Sequence, residues 1–306
     1  MSVYTLDIDS SERDPVSFPN PGDYVVELRH PIYDVKKLSI VSARIHASQL
    51  LINDRNNTFS INTTTVTLDN GNYSGKTLST ELDTKLPGGI TSSYDKDAND
   101  ITFTGSAPFT FEFYGGDNGF ATGSDGFTTP HDILGLPASN VTSVNNTLKT
   151  GSLNLQGPDA LIIKISNGAD ELTKTVYSDT PFYTGRILMC GDVINYSGAD
   201  DAVEHNFDTG AQNISKLRIQ FFYSSNNRLI PYDFRNANHI LKLNIECSTD
   251  KLQNVPKVDK KFELPPPIRI PSIEDPNRWN GMIYIFAIIA AGIFFILVAK
   301  PKKLSE

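Results

Sequence analysis

The chain has 306 residues, room for one large domain or two ordinary ones. Hydrophobic residues make up 39% and charged residues 20%, which supplies a core and excludes wholesale disorder. The net charge of −8, with no basic run ahead of the last residues, excludes a general nucleic-acid binder.

The opening "MSVYTLDIDSSERD" has neither the basic nor the apolar region of a signal peptide, so none is expected. Residues 1–21 are polar and punctuated by proline, and read as an extended N-terminal arm. A head is expected over residues 22–256. "YVVEL" is its first strand. "GNYSGKTLSTELDTKLPGG" then reads as one short helix: Ser74 or Thr77 caps it, Leu78, Leu82 and Leu86 share a face, and Pro87-Gly88 stops it. "DITFTG" and "FTFEF" follow, the latter with Phe109, Phe111 and Phe113 on one face and Thr110 and Glu112 on the other.

"ALIIKI" is another strand. In "SKLRIQFFY", Leu217, Ile219, Phe221 and Tyr223 alternate with polar residues, as do Leu241, Leu243, Ile245 and Cys247 in "LKLNIEC". Turn formers such as "DNGN", "SNNR" and "YSGADD" separate the runs. The fold class is therefore all-β, a jelly-roll-type β-sandwich with one short helix. One elaborated sandwich and two small ones, divided near residue 152, both fit. Cys190 and Cys247 lie far apart in apolar strand-like stretches, and read as buried free thiols, with a single bridge as the alternative.

Residues 257–280 form a spacer. Pro265, Pro266, Pro267, Pro271 and Pro276 forbid helix and central strand and favour extended polyproline II. Beyond it, Met282 to Ala299 carries no charge. A helix of that length spans about 27 Å, close to the hydrocarbon thickness of a thin bilayer. The expected membrane anchor, residues 281–299, places Met282, Ile283, Tyr284, Ile285, Phe286, Ile288, Ile289, Ile293, Phe294, Phe295, Ile296, Leu297 and Val298 in lipid. Trp279 marks one interface, and Lys300, Lys302 and Lys303 of the basic tail mark the other. A position this near the C-terminus implies post-translational insertion with the head in the cytosol, although the lysines set against Arg269 and Arg278 slightly favour the reverse orientation. Ala287 and Ala291 form a small-xxx-small pair through which two anchors can pack.

Motifs that carry chemistry are sparse. Asp208-Thr209-Gly210 matches the tripeptide of pepsin-like proteases, but it lacks the second copy that proton sharing requires, and Ala follows it. "DKDAND" resembles the start of a calcium loop, yet Asp100 stands where glycine is needed and Ser106 where glutamate is needed. His30, His46, His131, His205 and His239 show no metal-ligand spacing. Asp200, Asp201 and Glu204 sit in a loop-forming stretch and read as solvated. Asn-X-Ser/Thr triplets at Asn56, Asn62, Asn72, Asn140, Asn145, Asn195 and Asn213 follow from composition. No enzyme, cofactor or metal site is expected.

The order of several motifs is more specific. Asp9, Ser10, Arg13 and Asp14, then Pro19, Asn20, Pro21 and Tyr24, lead into the first strand. "VKKLSIVSARIHASQLLINDRNNTFSI", "GNYSGKTLSTEL" and the closing "LRIQFFYSSNNRLIPYDFRNANHILKLNIEC" follow. This series resembles minor capsid proteins of nucleocytoplasmic large DNA viruses, especially chlorella-virus-like lineages. Those members often carry Ile-Pro where this chain has Ala43-Arg44-Ile45-His46. The resemblance implies a structural virion protein that joins the outer capsid shell to an inner membrane derived from host endoplasmic reticulum. Its implied partners are the major capsid protein, other minor capsid proteins and the bilayer, with no nucleic acid and with self-association open. Asp9, Arg13, Asp14, Pro19, Asn20, Pro21 and Tyr24 are then capsid-contact candidates, and the arm is expected to add a strand to a partner's sheet. A different class fits the same residues: a tail-anchored adhesion protein whose sandwich binds a receptor or glycan. Protease access on intact particles separates the two.

Overall fold

The computed structural model describes residues 2–113, 126–168, 170–172, 175–177, 180–189, 191, 193–196, 203–207, 212–248 and 277–299. The chain divides into two compact units, Met1–Asp250 and Lys251–Glu306.

In the first unit, strands β1 (Ser2–Asp9) and β2 (Asp23–His46) open the chain. Strands β3 (Thr58–Ile61) and β4 (Thr64–Thr67), helix α1 (Gly75–Lys85), and strands β5 (Ile90–Asp95), β6 (Asp100–Gly105), β7 (Thr110–Glu112), β8 (Val141–Thr142) and β9 (Thr147–Lys149) follow. Then come β10 (Ala160–Asn167), β11 (Asp170–Glu171), β12 (Thr175–Tyr177), β13 (Thr180–Tyr183), β14 (Gly185–Leu188), β15 (Val193–Tyr196) and β16 (Glu204–Asn206). Strands β17 (Gln212–Ser225), β18 (Arg228–Pro231) and β19 (Ile240–Cys247) complete the unit. Among the described residues every strand pair is antiparallel. The all-β expectation, with one short α-helix in the head and an apolar helix beyond it, holds among the described residues.

The main sheet runs β1-β19-β2-β17-β10-β11, with β14, β15, β16 and β18 attached beside that path. Strand β2 organises it. Its first half, from Asp23 to Val35, pairs with β17; from Val35 onward it lies between β19 on one side and β15 and β16 on the other. The corner falls at Asp34, whose φ of 58° breaks the extended backbone, and β17 shifts register opposite it. The sheet curls at this point, and its apolar face closes on one core. Leu38, Ile45, Leu161, Ile163, Leu217, Ile219, Leu243 and Ile245 are all fully buried in it. Cys247 is a buried free thiol at its rim. Cys190 lies outside the described residues.

A second core lies between β2 and β10 in sequence, built by β3 to β9 and α1. The two cores interleave along the sequence, the second falling between β2 and β10 of the first. The expected pattern of "FTFEF" is seen directly: Phe109, Phe111 and Phe113 are buried, and Phe111 also stacks on Phe59 at 5.5 Å and meets Phe103 at 4.8 Å. Each such ring contributes about 1.5–3 kcal/mol of burial. Helix α1 starts where expected, with Ser74 and Thr77 forming a reciprocal capping box, and its Leu78 and Leu82 enter this core.

Asparagine makes the turns. Among the described residues, seven of the ten non-glycine residues at positive φ are Asn. Asn226-Asn227 closes the β17–β18 hairpin with both residues left-handed, as a two-residue turn of this twist requires.

The N-terminal segment departs from expectation. Residues 2–9 are no unpaired arm: as β1 they pair with β19 over eight consecutive positions, from Ser2↔Cys247 to Asp9↔Ile240. The physical reason is their alternation, which sends Leu6 and Ile8 toward the core.

Candidate functional site

Two features stand out, one in each unit. In the second unit, helix α2 (Arg278–Val298) runs 21 residues. Its Trp279–Val298 stretch has a mean hydropathy of 2.7, and none of it is buried against protein. Ile288, Phe295 and Leu297 expose 72 to 74% of their surface. The described anchor residues, Trp279 to Val298, thus form one continuous helix long and apolar enough to cross a membrane. The spacer prolines and Lys300, Lys302 and Lys303 lie outside the described residues.

In the first unit, the motif-bearing loop after β1 is knotted to the start of β19. Ser10 is fully buried. Its backbone N–H donates to the His239 carbonyl at 3.0 Å, and its hydroxyl accepts the His239 N–H at 2.8 Å. Arg13 spans the loop: Nη1 donates to Ser10 O at 2.7 Å and to Asn238 Oδ1 at 3.0 Å, Nε to Phe18 O, and Nη2 to Pro19 O. Asp9 accepts the Ser11 N–H, and that bond holds its carboxyl below the usual range. Asp14 accepts from the Ser17 hydroxyl and the Val16 N–H, which lower its pKa likewise. Asn20 Oδ1 accepts from Gly22 N.

Beneath the loop sits His239, 1% exposed, its Nε2 3.0 Å from the Tyr24 hydroxyl. Phe221 meets the ring edge-on at 4.6 Å, and Phe234 lies at 4.8 Å. Burial, aided by the nearby Arg13 charge, pushes His239 down to about 3. Burial also raises the Tyr24 phenol. Both groups are neutral parts of the packing.

This geometry sorts the contact candidates. Tyr24 and Pro21 are buried and offer no surface to a partner. Asp9 and Arg13 are half-buried and spend their polar groups inside the head. Asp14, Pro19 and Asn20 are exposed, on the crown of the same loop. Sequence reasoning named His239 only as a histidine without metal-ligand spacing and did not join it to Tyr24 or Ser10, 215 and 229 positions away. No local signal links residues so far apart.

Other motifs resolve simply. "DKDAND" forms the β5–β6 turn, and the group beside Asp100 is an ammonium: Lys149 Nζ lies 3.0 Å from Oδ2 and its pKa is raised by that bond. Among the described residues, no three His, Cys, Asp or Glu side chains converge as metal ligands. The protease-like Asp208-Thr209-Gly210 lies outside the described residues. Asn56 is buried, bonded to Leu51 O and Asn53 N, while Asn62 and Asn145 are left-handed turn residues.

A cleft of about 280 Å³ lies at the seam of the two cores, lined by Gln49, Thr128, Asp132, Asp159, Tyr223 and Ser225 among others. Ser225 donates to Asp132 Oδ2 at 3.0 Å, and His131 Nε2 lies 3.1 Å from Asp132 Oδ1. Burial opposes the Asp132 charge, but its bonds to His131 and Ser225 together lower its pKa. The carboxylate stands between hydroxyl and imidazole, so the histidine is not placed to take the serine proton as a triad requires. The contact joins the two cores.

Among the described residues these features define an all-β protein with one long apolar helix. The chain belongs to a protein family of unknown function (DUF5901), whose model matches residues 1–230. No curated protein matches it. Among solved structures it is similar to the mavirus penton protein, at 10% identity over 80% of this chain and 99% of that one, with a TM-score of 0.40. It is also similar to a chain of the Sputnik virophage cryo-EM structure, at 11% identity over 80% and 98%, with a TM-score of 0.34.

Proposed function

We propose that this is a structural virion protein, a minor capsid protein that ties an outer capsid shell to an inner lipid membrane through α2. The observation that carries the reading is α2 itself: a 20-residue apolar stretch with no protein cover. Lipid is the environment in which such a surface is stable, because a helix satisfies its own backbone hydrogen bonds there. The proline-rich segment between head and helix suits a spacer. The sequence resemblance to minor capsid proteins supplies the setting, with the major capsid protein and other minor capsid proteins as partners. Asp14, Pro19 and Asn20, on the exposed crown of the N-terminal loop, are the contact residues of this proposal.

The membrane half is tested by flotation. The full chain, mixed in detergent with phosphatidylcholine vesicles and dialysed, is expected to float and to stay bound in alkaline carbonate. A chain lacking residues 278–299 is expected to stay in the dense fraction. Equal flotation of both, or of neither, overturns the anchor.

A further inference from the structure

The load on such a tether has a defined point of entry. The chain leaves the main sheet at Cys247, the last residue of β19, and continues through Ser248 toward α2. Strand β19 is not at the edge. It lies between β1, with eight paired positions, and β2, also with eight. Both neighbours are antiparallel to it.

The far end is fastened as well. Ile240 follows His239, whose backbone N–H and C=O both bond to Ser10, and Asn238 Oδ1 accepts from Ser10 Oγ and Arg13. Ladder hydrogen bonds stand perpendicular to the strands. A pull along β19 from Cys247 therefore loads both ladders in shear, and many bonds must yield together. Peeling would load them one pair at a time. The geometry offers one peeling route among the described strands of this ladder, from the N-terminus, because Ser2 sits opposite Cys247 at the same end of the sheet.

We propose that β19 is a shear clamp for tension arriving through the membrane segment, with β1 as the clasp that completes it. The chain's first strand thus holds down the strand from which the tether leaves. This explains why β1 and its loop are knotted to residues 238–239 rather than left free for a partner. The source of the tension rests on the anchor reading above; the mechanical asymmetry does not.

Single-molecule force spectroscopy on the full chain tests it, with one handle at the C-terminus. The second handle is placed either at the N-terminus or in a tag inserted after Val16, which is 89% exposed in the loop beyond β1. The N-terminal handle puts β1 in the loaded path and peels it from β19 one pair at a time. The Val16 handle leaves β1 outside the loaded path, so the force enters through β2 and shears β19 against β2 and β1 together. Forced rupture reports the barrier for each direction of loading. The first rupture is expected at several-fold higher force with the Val16 handle than with the N-terminal one. Equal forces, or a stronger N-terminal geometry, overturn the clamp. The comparison is indifferent to vesicle binding, so its failure and that of the anchor are separately visible.

Discussion

Acidification should weaken the head through His239. In the native state its imidazole is 1% exposed, with Nε2 on Tyr24 and Nδ1 without a hydrogen-bond partner, so a second ring proton would have no acceptor. Burial lowers its pKa from 6.5 to about 3. The sign follows directly. Unfolded chains bind a proton as pH falls through about 6.5, whereas the native state does not until about 3, so stability is complete above the first value and drains away between the two. The slope is about 1.4 kcal/mol per pH unit at most, or about 2–3 kcal/mol between pH 6.5 and 4.5. The carboxyls of Asp9, Asp14 and Asp132 are held below their usual range, so their own losses fall at lower pH and leave this window to histidine. Urea unfolding of the full chain in detergent, at half-unit steps from pH 7 to 4.5, measures the slope. His239→Gln, which cannot titrate, should flatten most of it despite a lower stability throughout. An unchanged slope in H239Q would refute the assignment.

Other perturbations follow from the same contacts. Arg13→Ala removes four hydrogen bonds from the loop over His239 and should cost about 2–3 kcal/mol in urea unfolding, with Arg13→Lys recovering only part because it lacks the planar fork. Phe111→Ala empties the centre of the five-phenylalanine cluster and should cost about 3–5 kcal/mol, read as a lower unfolding midpoint. Ala290→Arg places a charge midway along α2, a penalty of about 2.5–3.5 kcal/mol for insertion, and should reduce vesicle flotation while leaving the head's circular dichroism unchanged.

What was legible in the sequence was local. Period-two alternation located "FTFEF", "SKLRIQFFY" and "LKLNIEC" with the correct faces inward, because a half-buried strand writes its environment into every second residue. The Ser74 cap and the leucine spacing located α1, and an uncharged run located α2. Long-range pairing left no such trace. "SVYTLDID" does alternate, with Tyr4, Leu6 and Ile8 opposite Thr5, Asp7 and Asp9, so its strand character was readable. That its partner is β19, across more than 230 residues, was not. The same blindness placed Tyr24 and Pro21, which are buried inside the head, among the candidate partner contacts. A motif shared in order along a sequence can mark a fold's internal fastening as easily as its outer surface. The second core between β2 and β10 was hidden for a related reason, since each core has its own alternating strands.

The central claim, a tether between shell and membrane, is tested most directly by cross-linking mass spectrometry on the purified native assembly, before and after detergent removes lipid. The exposed Lys216 and Lys242 of the head are suitable reporters. The account predicts links from these lysines to a major capsid protein that survive detergent. Links only between copies of this chain, or none, with detergent releasing the protein, would contradict it.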